Sequence, residues 1–170
     1  YTTYANQSAL LHVFTPIPQE WLEGLEPEAV DRLQAEHEAV RLMLESGVLR
    51  GQQNMEAAYG RLIKAHEIAP DNPVVKNELV AMMEGSAAAL RAAGHRDESA
   101  KQYQIILKLD PNHFWALHNL IDLGMIAGKN EFAQKVLDRA LAAYADSPLM
   151  LAQKGKFLYS TGQKIEGLTL

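Results

Sequence analysis

The sequence predicts an all-α fold, an α-solenoid of antiparallel helix hairpins, and three features indicate it. Gly94, Gly128 and Gly162 follow one another at intervals of 34 residues. Small residues keep the same interval, because Ser99 and Ala133 each lie five residues beyond one of these glycines. Apolar runs of helical length separate the glycines from turns rich in proline, asparagine and aspartate. A period of about 34 residues with two helices per unit is typical of a helical repeat array.

Composition narrows the class of function. The 170 residues suit a single domain, and a 48% apolar content is enough to build a core. A net charge of -5 without long runs of like charge argues against nucleic-acid binding. The absence of cysteine excludes disulfides, zinc-thiolate sites and thiol nucleophiles.

The compartment stays open between cytoplasm and periplasm. We expect a soluble chain without direct membrane insertion, because no apolar stretch approaches the roughly 20 residues that span a bilayer. The first residue is Tyr1, which indicates a processed or excised segment.

Residues 1–27 are predicted to form an extended N-terminal arm with a short helical turn around Trp21. Pro16 and Pro18 favour extended backbone. The arm also carries apolar side chains, namely Leu10, Leu11, Val13, Phe14 and Ile17. Because free apolar surface of this kind is unusual, we expect the arm to pack on its own array, with docking into a neighbouring chain as the alternative.

Residues 28–170 are predicted to hold about three and a half repeats: 28–72, 73–112, 113–147 and an incomplete 148–170. The first helix should start at Pro27 and run to about Ser46, where Gly47 weakens it. It carries one apolar stripe, in which His37 is expected as a buried imidazole: Val30, Leu33, His37, Val40 and Leu44.

The second repeat is longer than the period. Pro70 and Pro111 are separated by 41 residues, seven more than expected, which is nearly two helical turns. The inserted length therefore keeps the same face inward. We expect an over-long helix from about Pro73 to Ala93.

The clearest unit spans residues 114–148. Its apolar positions are Leu117, Leu120 and Ile121, and Ala133 and Ala140 must be small where its two helices approach. On these features the chain resembles the tetratricopeptide repeat (TPR) family over about residues 39–170. The resemblance implies a right-handed superhelix in which the first helices of successive hairpins line a concave groove.

Nine side chains are candidates for binding a partner in that groove, because helical periodicity places them on the exposed face of the first helices. They are Glu84, Arg91, Trp115, His118, Asn119, Asp122, Gln153, Lys156 and Tyr159. Amides and charges beside an aromatic suit a peptide or helix better than a metabolite. The alternative is ordinary solvated surface.

For some of these candidates the sequence also allows a more specific role. Trp115 is either an interface anchor or a side chain packed on the preceding repeat. His118 and Asp122 lie four residues apart, but two ligands without a third do not predict a metal site. Some TPR proteins clamp a terminal carboxylate with Lys, Arg and Asn, and only Asn119 matches such a position, so we expect no clamp of this kind.

The sequence thus predicts a non-enzymatic scaffold or adaptor that binds a protein or peptide and needs no cofactor or metal. One alternative is a repeat module that positions a neighbouring domain in a larger enzyme or a secretion or assembly component. Another is a homo-oligomer that self-associates through its arm and its open end. Leu168 and Leu170 give that end no polar cap, so we expect further helix or another chain to cover it.

Overall fold

The protein is helical throughout the part that the structure describes. A computed structural model describes residues 15–162. After a short 3-10 helix at Gln19–Trp21, it contains α1 (Pro27–Gly51), α2 (Met55–Ile68), α3 (Pro73–Ala92), α4 (Arg96–Leu109), α5 (Phe114–Ile126), α6 (Asn130–Ala143) and α7 (Pro148–Ser160). No strand occurs between residues 15 and 162. The predicted all-α fold is confirmed.

The chain divides into two compact units, residues 1–82 and 83–170, and the boundary falls inside α3. In unit 1, α1 and α2 form an antiparallel hairpin. Its core contains Ala39, Leu42, Ala65, Ala69 and Val75, with Met43 and Ile68 packed against them. The alanines let the two helix backbones approach closely.

Unit 2 has its best-packed hairpin between α5 and α6. Leu117, Leu120 and Ile121 are buried on α5, and Ala133 and Ala140 are buried on α6. These are the positions that the 34-residue pattern predicts.

The preceding helices of unit 2 are joined by a buried hydrogen bond. The hydroxyl of Ser99 on α4 donates to the Ala87 carbonyl on α3 at 2.8 Å. Ser99 is fully buried, so a small side chain at this position keeps the two helices close.

The turn inside each hairpin has one recurring geometry. Gly94 and Gly128 have φ angles of 87° and 67°, in the left-handed region where glycine is favoured. Gln53 has a φ of 61° and lies in the corresponding turn between α1 and α2. The amide of Gln53 donates to Arg50 at 3.0 Å, as the amide of Gly94 donates to Arg91 at 3.1 Å. Gln53 thus occupies the glycine position of the first hairpin.

The over-long helix is observed. Helix α3 spans Pro73–Ala92, one residue shorter than expected. Gln53 and Gly94 are 41 residues apart, so the seven added residues lie between the first two hairpin turns.

Two expectations for α1 are wrong. The helix continues past Ser46 and Gly47 to Gly51. Glu45, just before the added turn, binds Arg41 on its own helix and Arg61 of α2, the latter at 3.0 Å. Arg50 in the added turn lies 3.2 Å from Glu78 of α3.

The second correction concerns the apolar stripe of α1. The buried residues of this helix are Ala39, Leu42 and Ser46, none of which belongs to the stripe. His37 is half-buried instead of enclosed, and Leu33 is 37% exposed. A stripe indicates which face of a helix is apolar, but it does not indicate which neighbour covers that face.

Two expectations lie outside the described residues. They are the packing of the arm residues Leu10, Leu11, Val13 and Phe14, and the covering of the end at Leu168 and Leu170. Within residues 15–162, no helix is both long enough and apolar enough to cross a membrane.

Candidate interaction site

A network of polar side chains joins the first helices of three successive hairpins in unit 2. Arg91 lies in the last turn of α3, His118, Asn119 and Asp122 lie on one face of α5, and Gln153 and Lys156 lie on α7. Six of the nine side chains named from the sequence therefore meet in one cluster, which we call the polar network.

Asp122 is the centre of the polar network. Its carboxylate accepts hydrogen bonds from Arg91 at 3.4 Å and from Gln153 at 3.0 Å. The ammonium of Lys156 lies 3.8 Å from it. Because the Asp122 side chain is only 15% exposed, these contacts are weakly screened by water. One carboxylate thus holds groups from both neighbouring helices.

Asn119 connects the polar network to the first turn of α5. Its carbonyl oxygen accepts a hydrogen bond from Arg91, and its amide donates to the Trp115 backbone carbonyl at 2.8 Å. Arg91 therefore binds two residues of α5 that lie almost one turn apart, Asn119 and Asp122. The two contacts use different nitrogens of the guanidinium and so restrict its orientation.

Gln153 is the most buried member, at 1% exposure. Its side-chain nitrogen lies 2.8 Å from Nε2 of His118 and 3.0 Å from Oδ1 of Asp122. The nitrogen must donate both bonds, because the opposite amide orientation would set an oxygen against the Asp122 carboxylate. His118 therefore accepts at Nε2, which requires the neutral ring protonated at Nδ1.

Burial keeps His118 neutral. Desolvation lowers the pKa of the imidazole below its usual 6.5, with smaller contributions from the Lys156 and Arg91 charges, and Asp122 opposes the shift. Among residues 15–162, neither Nδ1 of His118 nor Oε1 of Gln153 has a hydrogen-bond partner, although both atoms are buried.

A cavity of about 440 Å³ lies beside the polar network. Its lining combines the small side chains of α3 with aromatic and polar groups, namely Glu84, Ala88, Arg91, Ala92, Tyr103, Trp115 and Asn119. Trp115 is 49% exposed and packs edge-on against Phe114 and His118. The indole is thus held by its neighbours while half of its surface remains open.

Two further groups were missed from the sequence: Tyr103 lines this cavity, and His113 lies outside its lining but next to Glu84. Tyr103 comes from α4, and burial, assisted by the Glu84 charge, raises the pKa of its hydroxyl. His113 lies 4.0 Å from Glu84, and its Nδ1 accepts a hydrogen bond from the Ala116 amide at the start of α5. Tyr103 follows the apolar pattern of the core, and His113 lies in a turn, so neither carried a signal for a groove residue.

Tyr159 differs from the other candidates. It lies near the end of α7 with 84% of its surface exposed. It takes no part in the polar network or in the lining of the 440 Å³ cavity.

A larger depression of about 670 Å³ lies elsewhere in unit 2, where the start of α4 faces the turn between α5 and α6. The charged groups on its wall include Asp97 and Lys129, whose side chains are 82% and 64% exposed. These charges are solvated, and the aromatic side chain in this lining, Phe132, is half-buried. The smaller cavity, beside the 49% exposed Trp115, is therefore the better candidate for binding.

His118 and Asp122 have protein partners and no third ligand nearby. Within the described part of the chain, no group of three or more His, Asp or Glu side chains is arranged to hold a metal ion.

Similarity to known proteins is found at the level of structure. No model of a known protein family matches the sequence, and no curated protein matches it. Several solved structures do. A TPR protein from Parabacteroides merdae is 15% identical, with a TM-score of 0.47 over 74% of this chain and 60% of that one. This chain therefore spans less than two thirds of that protein.

Two other solved structures are covered almost completely by this chain. The first TPR domain of Spaghetti (RPAP3), solved with an HSP90 peptide, is 16% identical, with a TM-score of 0.47 over 75% of this chain and 96% of that one. The TPR-containing domain of a putative FK506-binding protein from Plasmodium falciparum is 14% identical, with a TM-score of 0.45 over 77% and 93%. All three are TPR proteins, the family that the sequence resembles.

Proposed function

We propose that unit 2 is a non-enzymatic protein-interaction module that binds a peptide segment of a partner across α3, α5 and α7. The observation that carries this proposal is the cavity beside Trp115, whose wall is formed by the interlocked side chains of Arg91 and Asn119. An open indole next to fixed polar groups is suited to an apolar anchor flanked by polar backbone.

The polar network supports preorganised binding. Arg91, Asp122 and Gln153 already hold one another, so little side-chain freedom is lost when a ligand arrives. A peptide backbone carbonyl loses water on binding and needs a donor. The Asn119 amide on the cavity wall carries a second N–H besides the one that it donates to the Trp115 carbonyl, and we expect it to supply this bond.

The same contacts argue against a catalytic role. A general base must be free to accept a proton from its substrate. Nε2 of His118 accepts from Gln153, and the Asp122 carboxylate is shared by Arg91, Gln153 and Lys156. Both groups are thus engaged in holding helices together.

The anchor is expected to be one bulky apolar side chain. The cavity offers about 440 Å³, and Ala88 and Ala92 leave room opposite the indole. Arg91 and Glu84 at its wall balance each other in charge, so we expect no strong preference for acidic or basic peptides.

A displayed peptide library selected on the full chain tests the proposal. The chain has two tryptophans, so a Trp21→Phe variant leaves Trp115, in the cavity lining, as its sole tryptophan, whose emission can be excited selectively over that of tyrosine. We expect selected peptides to change its emission and to lose about tenfold or more in affinity with Trp115→Ala, which corresponds to about 1.4 kcal/mol.

Trp21→Ala is the matched control, because Trp21 is 62% exposed in unit 1 and Trp115 is 49% exposed. Peptides that bind the Trp115→Ala and Trp21→Ala variants equally well would refute the groove as the binding site. A library that yields no binder after selection would refute peptide binding itself.

A further inference from the structure

Helix α1 has an apolar face that points away from its own core. The stripe runs through Val30, Leu33, His37, Val40 and Leu44, spaced three and four residues apart. At about 100° per residue, His37 and the buried Leu42 are separated by about 140° around the helix, and Val40 and Leu42 by about 160°. The stripe and the buried face are therefore on nearly opposite sides.

None of the five stripe residues is fully buried, and Leu33 is 37% exposed. Val48, one turn beyond Leu44, continues the same face and is 56% exposed. From Val30 to Leu44 the stripe is about 21 Å long. An apolar strip of this length calls for a covering group.

The sequence just before the described residues has the composition of such a group. Residues 10–14 read LLHVF, and the first 19 residues contain no Asp, Glu, Lys or Arg, although 22% of the whole chain is charged. No Asp, Glu, Lys or Arg side chain in this segment would therefore resist removal from water.

The connection allows the segment to reach the stripe. Fifteen residues separate Phe14 from Val30, and an extended chain of that length spans roughly 50 Å. The path contains a tight 3-10 turn at Gln19–Trp21 and a reversal at Gly24, where φ is 81°. Such turns allow the chain to reverse direction, and Ile17, just after the segment, is half-buried.

We propose that the α1 stripe is the docking surface for the chain's own residues 10–14, whose apolar side chains cover it. A tethered segment competes at an effective concentration in the millimolar range, which a second molecule rarely reaches. A stripe of five side chains on one helix is also far smaller than the roughly 800 Å² per partner that stable interfaces bury. Both points favour the chain's own segment over a second copy.

Cross-linking tests the contact directly, because the chain contains no cysteine. The double variant Phe14→Cys with Leu33→Cys is treated with a short bis-maleimide and compared with Phe14→Cys with Asp31→Cys. Asp31 is exposed, only two residues from Leu33 and about 160° away around α1. The two pairs therefore differ in face and hardly in tether length.

We expect the Leu33 pair to give a monomeric cross-link about tenfold faster than the Asp31 pair. Equal rates would overturn the proposal, since they would mean that the segment has no preferred face. Cross-linked dimers in place of monomers would overturn it in favour of a second copy.

Melting provides a second readout in case a cysteine pair perturbs the chain. Removing residues 1–14 and introducing Leu33→Asp should each lower the Tm by several degrees. Combining them should lower it no further than the larger single effect, because both changes remove one contact. A deletion that leaves the Tm unchanged, or two effects that add fully, would contradict the proposal.

Discussion

Gly124 on α5 is the glycine at which an added Cβ should have the clearest effect on the stability of the protein. A Cβ added there lies 3.1 Å from the Ala133 Cβ, 3.1 Å from Phe132 Cδ1 and 3.4 Å from the Ala133 Cα. Phe132 can turn aside, but Ala133 yields only if the backbone of α6 moves. The 34-residue period places Leu90 and Leu158 at the equivalent positions, so glycine here reflects a close approach of two helices.

Two opposing effects determine how much Gly124→Ala changes the free energy of unfolding. Replacing glycine by alanine inside a helix contributes about 1 kcal/mol of helix stability. Overpacking a well-filled contact typically costs about 1–3 kcal/mol. We expect Gly124→Ala to destabilise the protein by about 1 kcal/mol, which lowers the Tm by about 2–4 °C in a chain of this size. Gly124→Leu should cost several times more.

Gly60→Ala is the matched control. Gly60 lies inside α2 and is exposed, and a Cβ added to it would meet no atom within 4 Å. That variant should raise the Tm by about 2–4 °C. Calorimetry of the two variants beside the wild type decides the matter: a Gly124→Ala protein as stable as the Gly60→Ala protein would refute the close approach of α5 and α6.

Three other substitutions are expected to have measurable effects. Gln53→Gly should stabilise the protein by about 1 kcal/mol, because residue 53 has a φ of 61°; denaturant unfolding that shows no gain would contradict this. Asp122→Ala should cost about 2 kcal/mol by leaving Arg91 and Gln153 without their shared acceptor, whereas Lys156→Ala, with a 62% exposed side chain, should cost under about 0.5 kcal/mol; equal losses on unfolding would refute the ranking. The pKa of His118 is lowered in the folded state, so below about pH 6.5 the unfolded chain binds more protons than the folded one. The contribution of His118 to stability should therefore be complete above about pH 6.5 and decrease as the pH falls below it. In His118→Gln, the Tm measured from about pH 7.5 to about pH 5 should decrease less than in the wild type.

The repeat pattern predicts shape because each unit places equivalent residues in equivalent surroundings. Gly94 and Gly128 have the same left-handed turn, and Ser99 and Ala133 have the same buried place beside a neighbouring helix. Helical periodicity on the first helices also predicts that Arg91, Asn119 and Asp122 belong to one surface. Residues that share a helix face can be grouped from spacing alone.

What spacing cannot supply is the identity of the neighbour. His118 and Gln153 are 35 residues apart, and nothing in their local sequence indicates that one donates to the other. For the same reason the apolar stripe on α1 predicts a buried His37, whereas the structure has it half-buried. The sequence pattern does not predict that Gln53 occupies the glycine position of the first hairpin turn. The added turns of the second repeat shift Gln53 seven residues from the 34-residue register, and it is not a glycine.

The polar network bears on how binding and folding can be separated. Asp122 is 15% exposed and holds three helices together, so changing it alters stability and binding at once. Trp115 is half exposed, and its side chain contacts the rings of Phe114 and His118. Truncating it removes the indole of the proposed binding cavity while the bonds of Asp122 to Arg91 and Gln153 remain. A loss of peptide affinity in Trp115→Ala with an unchanged Tm would therefore report on recognition alone. Trp115 can thus be truncated without removing a hydrogen bond of Asp122, whereas a change of Asp122 removes bonds to two other helices.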